Sequence, residues 1–165
     1  MKKLNKDNKG FSLVELLVVI AIMVVLVGVL APTLLGNIEK SRVSSDIQVL
    51  DSIAGAIQSA IGSDEKAYTE AMALAAATSN EYTVEALYTG ITYNTSQTAS
   101  NLASLVQEYL AKAKISFKGS DAQKAYATKD NLKFKIDSNG TITVTLYKTG
   151  TEVLKAKNVD YQVVR

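Results

Sequence analysis

One stretch constrains this chain more than any other. Leu16 to Leu35 is a run of 20 residues without a charge. As a helix rising 1.5 Å per residue it spans about 30 Å, the hydrocarbon thickness of a bilayer. The uncharged segment extends from Phe11 to Ile38, with Glu15 as its single interruption. A charge inside hydrocarbon costs about 2.5–3.5 kcal/mol on insertion scales, so Glu15 calls for a reason. The flanks set a direction. Lys2, Lys3, Lys6 and Lys9 against Asp7 give the first ten residues +3, which predicts a cytoplasmic N-terminus. Glu39, Lys40, Arg42, Asp46 and Asp51 then come to −1, so the downstream domain is expected outside.

Three membrane readings compete for this segment. A cleaved secretory signal has a hydrophobic region of about 7–15 residues ending in a small-residue cleavage site. The run here is longer, and its A-x-A-like candidate, Val29-Leu30-Ala31, is followed at once by Pro32. A plain single-pass anchor fits the length and leaves Glu15 unexplained. The third reading is processing at the polar border, where Lys9-Gly10-Phe11 meets the apolar run.

The third reading carries a resemblance. The stretch GFSLVELLVVIAIMVVL, Gly10 to Leu26, resembles the class III signal of type IV pilins. The resemblance covers roughly the first 35 residues. It implies that a prepilin peptidase cuts between Gly10 and Phe11 and that Phe11 becomes an N-methylated N-terminus. Glu15 is then the fifth mature residue, and Pro32 falls where many pilins kink the helix. The implied organisation is a cleaved leader (1–10), a transmembrane and filament-core helix (11–36) and an extracellular domain (37–165). The domain includes the amphipathic half of the first helix. The implied partners are further copies of the chain, the peptidase, an assembly ATPase, an inner-membrane platform protein and the cytoplasmic membrane. The filament would serve adhesion, twitching motility, aggregation or biofilm formation, with a host or surface ligand as a further partner. Alternatives within the family are a minor pilin or a pseudopilin of type II secretion or DNA uptake. Outside it stands the uncleaved anchor. Many Gram-negative pilins close the C-terminal region with a disulfide; this chain has no cysteine, which hints at a Gram-positive source.

Two roles for Glu15 follow. Ser12-Leu13-Val14-Glu15 fits a capping box, with Ser12 as N-cap and Glu15 at N3. The other role uses the cost of a membrane carboxylate. Cleavage creates an amine at Phe11, and a neighbouring subunit's Glu15 meeting that amine would fix one axial register between sliding helices. An intrasubunit contact within one turn stays open. Gly28, Pro32 and Gly36 recur at intervals of four. Proline removes a backbone donor, so this segment is expected to kink or melt, though ordinary membrane-helix packing accommodates the same residues.

Beyond the membrane, Val43, Ile47, Leu50, Ala54, Ile57 and Ile61 recur at spacings of three and four, one face of a continuing helix. Gly62 is the expected stop, with Ser63 or Asp64 as a new cap. Asp64 to Thr78 reads as a second helix. Glu81 to Tyr93 fits helix and strand equally, and Thr92 to Asn101 reads as an exposed loop. Leu102, Leu105, Val106, Tyr109 and Leu110 mark a helix capped by Ser100 or Asn101. Then the period changes to two. Leu132, Phe134 and Ile136 alternate with polar residues, as do Ile142, Val144 and Leu146, around the turn Ser138-Asn139-Gly140. Thr151 to Ala156 and Val159 to Val164 complete an expected four-stranded antiparallel meander. The fold class is α+β: a long N-terminal helix whose second half packs on a C-terminal antiparallel sheet, which is also the pilin architecture.

Catalysis and cofactors find little support. The chain has no histidine and no cysteine, which excludes thiolate zinc sites, Ser-His-Asp triads and Cys-His pairs. Four of the 18 basic and one of the 16 acidic residues lie in the first ten; the 14 and 15 left give −1. That balance is no footprint for nucleic acid. Asp137-Ser138-Asn139-Gly140 looks like part of a calcium loop, yet Lys135 and Leu146 stand where ligands belong. Asn94-Thr95-Ser96 and Asn139-Gly140-Thr141 match a short glycosylation pattern. Lys112, Lys114, Lys118, Lys124 and Lys129 read as a solvated surface before a polyanion patch. No enzyme, metal or cofactor is expected.

Overall fold

A computed structural model describes residues 11–77, 81–89, 92–94, 97–110 and 115–165. The leader and Gly10, with Thr78, Ile91, Thr95, Ser96, Lys112 and Lys114 of the sequence readings, lie outside the described residues. The chain divides into two units, Met1–Ile38 and Glu39–Arg165.

Helix α1 runs from Leu13 to Ser63 and is helical through Pro32 and Gly36. Its part in the first unit is apolar on every side, so no face is selected for burial. An 18-residue stretch of it has mean hydropathy 3.2 and no buried residue. The core helix of a soluble domain would bury such a stretch.

The second unit is α+β. The second half of α1 buries Val43, Asp46, Leu50, Ile53, Ala54, Ala56, Ile57 and Ala60. Ile47 and Ile61, expected on the same stripe, are only partly buried. Helix α2 follows at Glu65–Ala76. Asp64 is its N-cap, accepting from the N–H groups of Lys66 at 2.8 Å and Ala67 at 3.0 Å. Gly62 lies within α1 rather than ending it.

The ambiguous region resolves into strand β1 at Glu81–Thr83, the turn of helix α3 at Ala86–Thr89 and strand β2 at Thr92–Asn94. β2 pairs antiparallel with β3 at Gln97–Thr98. Within the segment read as a loop from Thr92 to Asn101, β2 and β3 are paired, and helix α4 begins at its end, Ser100–Tyr109. Neither Ser100 nor Asn101 caps α4. Its first turn is satisfied from α2: the Glu70 carboxylate accepts from the Leu102 N–H at 2.8 Å and the Asn101 side chain at 2.8 Å. A cap supplied from a distant helix leaves no local signature. Helix α5, Ser120–Tyr126, lies in the lysine-bearing segment read as surface, and buries Ala122 and Ala125.

Strands β4 (Leu132–Ile136) and β5 (Ile142–Thr149) form the expected hairpin, with Phe134 opposite Val144. Every apolar residue of the two alternations is buried. Gly140 turns the chain at φ +81°, a conformation open to glycine. The Asp137 carboxylate accepts from the Asn139 and Thr141 N–H groups, both at 2.8 Å, so it is a turn ligand.

The remainder departs from a plain meander. The third strand is divided into β6 (Glu152–Val153) and β7 (Lys155–Ala156) by the buried Leu154. The fourth is divided into β8 (Val159–Asp160) and β9 (Gln162–Val164) by the buried Tyr161. β6 and β9 share one edge of β5, and β7 and β8 pair as a separate hairpin. Lys157 and Asn158 turn that hairpin with φ of 50° and 63°. Both positive angles fit the tight turn that matches strand twist. β1 pairs with β4, giving the order β1-β4-β5 with β6 and β9 beyond. Buried residues of the second half of α1, of α2 and α4, and of the sheet form one hydrophobic cluster.

Candidate functional site

The first site is the start of α1. Phe11 is 91% exposed. Ser12 precedes the helix, and its hydroxyl oxygen accepts from the Val14 N–H at 3.3 Å. The Glu15 carboxylate reaches back and accepts from the Ser12 N–H at 2.9 Å. This is the reciprocal capping box. Two of the donors that a helix start leaves unmet are satisfied, and a negative charge sits at the positive end of the helix dipole. Only Oε2 of Glu15 is used in this bond. A carboxylate has room for further donors.

Gly28 and Gly36 are open positions. A Cβ built at either meets nothing within 4 Å. Within one subunit, then, neither is glycine for steric reasons. Pro32, between them, lies inside the helix and has no N–H to donate to the preceding turn.

A second constellation escaped the sequence reading. Asp46 is fully buried. Its Oδ1 accepts from the Lys118 N–H at 2.6 Å. Its Oδ2 accepts from the Gly119 N–H at 2.9 Å and the Tyr161 hydroxyl at 3.1 Å. Gly119 leads into α5, and a Cβ there would lie 2.8 Å from Oδ2. The carboxylate thus ties α1 to the entry of α5 and to the β8–β9 junction. Burial, and then the Asp46 charge, hold the Tyr161 hydroxyl well above the ordinary tyrosine range. A related tie lies at the surface. The Arg165 guanidinium donates in a fork to Asp51, at 2.7 and 2.8 Å, while the Arg165 main chain pairs with Ile142. These contacts fix the fold and show no reacting arrangement. Among the described residues there is no group of three His, Cys, Asp or Glu side chains placed to hold a metal ion.

The features that remain are a capped helix start, an apolar helix stretch with no buried residue among the described residues, and a folded α+β unit after it. By length and composition the apolar part of α1 could cross a membrane. Comparison with protein families sharpens this: residues 5–31 match the prokaryotic N-terminal methylation motif, the class III signal of type IV pilins. The motif supports a pilin-like or pseudopilin reading and implies processing by a prepilin peptidase. No curated protein and no solved structure matches the chain.

Proposed function

We propose that this chain is the structural subunit of a type IV pilus, and its major subunit. The leader 1–10 is removed between Gly10 and Phe11, and Phe11 is N-methylated. The mature chain waits in the cytoplasmic membrane with residues 37–165 outside. An assembly ATPase, acting through a platform protein, then moves it into a helical filament on the cell surface. Residues 11–36 pass from lipid into a bundle of neighbouring helices, and the α+β units face outward. Head-to-tail contacts of this kind do not close, which is how an open filament grows. The filament serves adhesion, motility, aggregation or biofilm formation; the chain itself performs no catalysis.

The observation that carries this reading is the conjunction of the motif at residues 5–31 with an apolar helix that the described residues leave uncovered. Glu15 has two compatible duties. One oxygen caps its own helix, and the remaining lone pairs can meet the Phe11 amine of a neighbour. That pairing offsets the cost of both charges in hydrocarbon and sets the register. Gly28, Pro32 and Gly36 supply the segment that gives way under tension.

The test is the intact mass of filaments sheared from cells. Phe11 to Arg165 carrying one methyl, as the main component, is the expected result. Filaments lacking the chain, with the processed form in the membrane, would make it a minor pilin or pseudopilin. An unprocessed chain confined to the membrane would make it a plain anchor. Glu15→Gln separates the two duties, because the amide oxygen still accepts the capping bond but carries no charge to neutralise a neighbour's ammonium. The expected outcome is normal processing and filament yield reduced to background.

A further inference from the structure

The second unit carries two complementary surfaces, at opposite ends of its share of α1. The first is a groove of about 440 Å³ lined by Lys40, Val43, Ser44 and Ile47 of α1 and by Lys157 and Val159 of the β7–β8 hairpin. Its floor is apolar: Val43 is buried, Ile47 is partly so, and Val159 is 41% exposed. Its rim is cationic. Lys40 and Lys157 are exposed and make no ion pair among the described residues. The charges beside them are already paired, Glu39 with Arg42 at 3.7 Å and Lys155 with Asp160 at 3.1 Å. The second surface is the start of α2. Tyr68 is 53% exposed there. Glu65 is exposed, shares the face of Tyr68 one turn earlier, and makes no ion pair among the described residues. Lys66 lies about 200° round the helix from Tyr68, on another face. Between Val43 in the groove and Ser63, where α1 ends just before α2, lie about 30 Å of helical rise. Glu65 therefore cannot reach the groove of its own copy.

We infer that the groove takes the Glu65–Tyr68 face of a second copy of this chain, with the Tyr68 ring on Val43, Ile47 and Val159 and the Glu65 carboxylate at the Lys40 and Lys157 ammoniums. The inference rests on the filament reading above and names one of its contacts. The floor calls for an apolar body and the rim for an anion, and the two must stand side by side. A small soluble anion would satisfy the lysines and leave the floor wet. The Glu65–Tyr68 pair matches both. The other exposed tyrosines match less well. Tyr88 follows Glu85 by the same spacing, but Glu85 is already engaged. Glu108 adjoins Tyr109 in sequence and so points to a different face of α4. Tyrosine brings a large apolar area with few rotamers to freeze. The ion pair rejects like-charged faces more than it adds affinity. Groove and face differ and lie at opposite ends, so the contact is heterologous. Each copy keeps one surface for the next, and the series does not close on itself.

The experiment measures the yield of filaments sheared from cells that express the full chain. Glu65→Lys sets like charges against the groove, and so does Lys40→Glu with Lys157→Glu. Each is expected to cut the yield by roughly tenfold or more. The triple variant restores opposite signs and is expected to recover most of the parent's yield. Such recovery can come only from contact between copies, because the two surfaces cannot meet within one. Tyr68→Ala should lose yield in both charge settings, and Lys66→Glu should keep the parent's yield. The urea midpoint in detergent reports whether each variant is folded. If a reversal variant unfolds, Glu65→Gln and Lys40→Gln with Lys157→Gln give the same answer through non-additive losses. A parental yield from Glu65→Lys, or a triple variant no better than the reversals it combines, would overturn the inference and leave the filament reading standing. Loss confined to the lysine variants would give the groove to an anionic ligand other than this chain and overturn it equally. Parent filaments that lack the chain would overturn both readings.

Discussion

Helix α1 is one element with two opposite halves. Up to Ile38 its large side chains are exposed: Leu16 at 62%, Val24 at 72%, Leu35 at 68%. After Glu39 the helix buries eight residues and ends within the hydrophobic cluster. The sequence difference is one of pattern. The first half is apolar on every face, so no rotation of it within a small domain could hide it. The second half offers a single stripe, which joins the hydrophobic cluster of the α+β unit. The polar contacts divide the same way. Glu15 bonds only within its own first turn, whereas Asp46 and Asp51 reach residues 72 to 115 positions away. One half is covered by its chain; the other is left exposed among the described residues.

The largest effect is expected from Asp46→Ala. It strips the acceptor from the Lys118 and Gly119 N–H groups and the Tyr161 hydroxyl, and opens space in the cluster. The loss is about 3–5 kcal/mol, read as the urea midpoint of the full chain in detergent. Glu15→Ala is the matched change in the other half. It removes one capping carboxylate, costs about 0.5–1 kcal/mol of local helix stability and leaves that urea midpoint where it was. If both variants lower the midpoint equally, the contrast between the halves is wrong.

Glycine substitutions sharpen the same contrast. At Gly119 a new Cβ meets Asp46 Oδ2 at 2.8 Å and the Tyr161 oxygen at 3.1 Å. Gly119→Ala is therefore expected to cost about 1–3 kcal/mol through a forced shift. Gly28→Ala and Gly36→Ala meet nothing and should gain helix stability of roughly 0.5–1 kcal/mol. Circular dichroism in detergent checks the gain. A fall in filament yield from those two variants, with helicity intact, would locate their demand for glycine in a neighbouring subunit.

An alkaline limb comes next. Tyr161 is raised by burial first and by Asp46 second, and Tyr147 is pushed up to about 12 by burial first and by its bond to Glu81 second. An unfolded tyrosine titrates near 10. The unfolded chain therefore loses these protons before the folded one does. Their contribution is complete below about pH 10 and declines as pH rises from there. Tyr161→Phe is expected to lose about 1 kcal/mol at neutral pH with its hydrogen bond, and to fall less steeply than the parent above pH 10 in chemical denaturation. Parallel curves would mean that Tyr161 does not govern this limb.

The two halves were not equally legible. The apolar helix and its cap in the first half are readable directly, because an uncharged run and a capping pattern are local signals that need no partner. The β4–β5 hairpin was legible for a related reason: strict alternation around Asn139-Gly140 fixes register and face together. What escaped depended on distant partners. β1 is three residues long and exists as a strand because β4 offers an edge. Helix α4 is capped by Glu70 of α2. The breaks at Leu154 and Tyr161 arise because both side chains turn into the core between strands. The miss at Asp46 left a trace. Val43, Asp46, Leu50, Ile53, Ile57 and Ala60 follow spacings of three and four, as does the stripe through Ile47, Ala54 and Ile61. A charge on that row signals a buried acceptor awaiting donors.

The smallest effect concerns Asp51 and Arg165, the tie that joins the last strand to the amphipathic half of α1. The hydrogen bonds from the Arg165 guanidinium lower the Asp51 carboxyl below its ordinary value of 3.8; desolvation opposes this, and the charge attraction adds to it. A lowered carboxyl contributes stability that is present above the unfolded value and is lost as pH falls through the folded one. Both side chains are substantially exposed, at 40% and 46%, so solvent screening keeps the contribution small. Asp51→Asn should lower the urea midpoint slightly at pH 7, and the gap from the parent should close well below pH 3.8. Raised salt should narrow the pH 7 gap as well. A gap that persists at low pH and high salt would mean that Asp51 acts by packing against α1's neighbours and not by charge. The contrast between the halves would then rest on Asp46 alone.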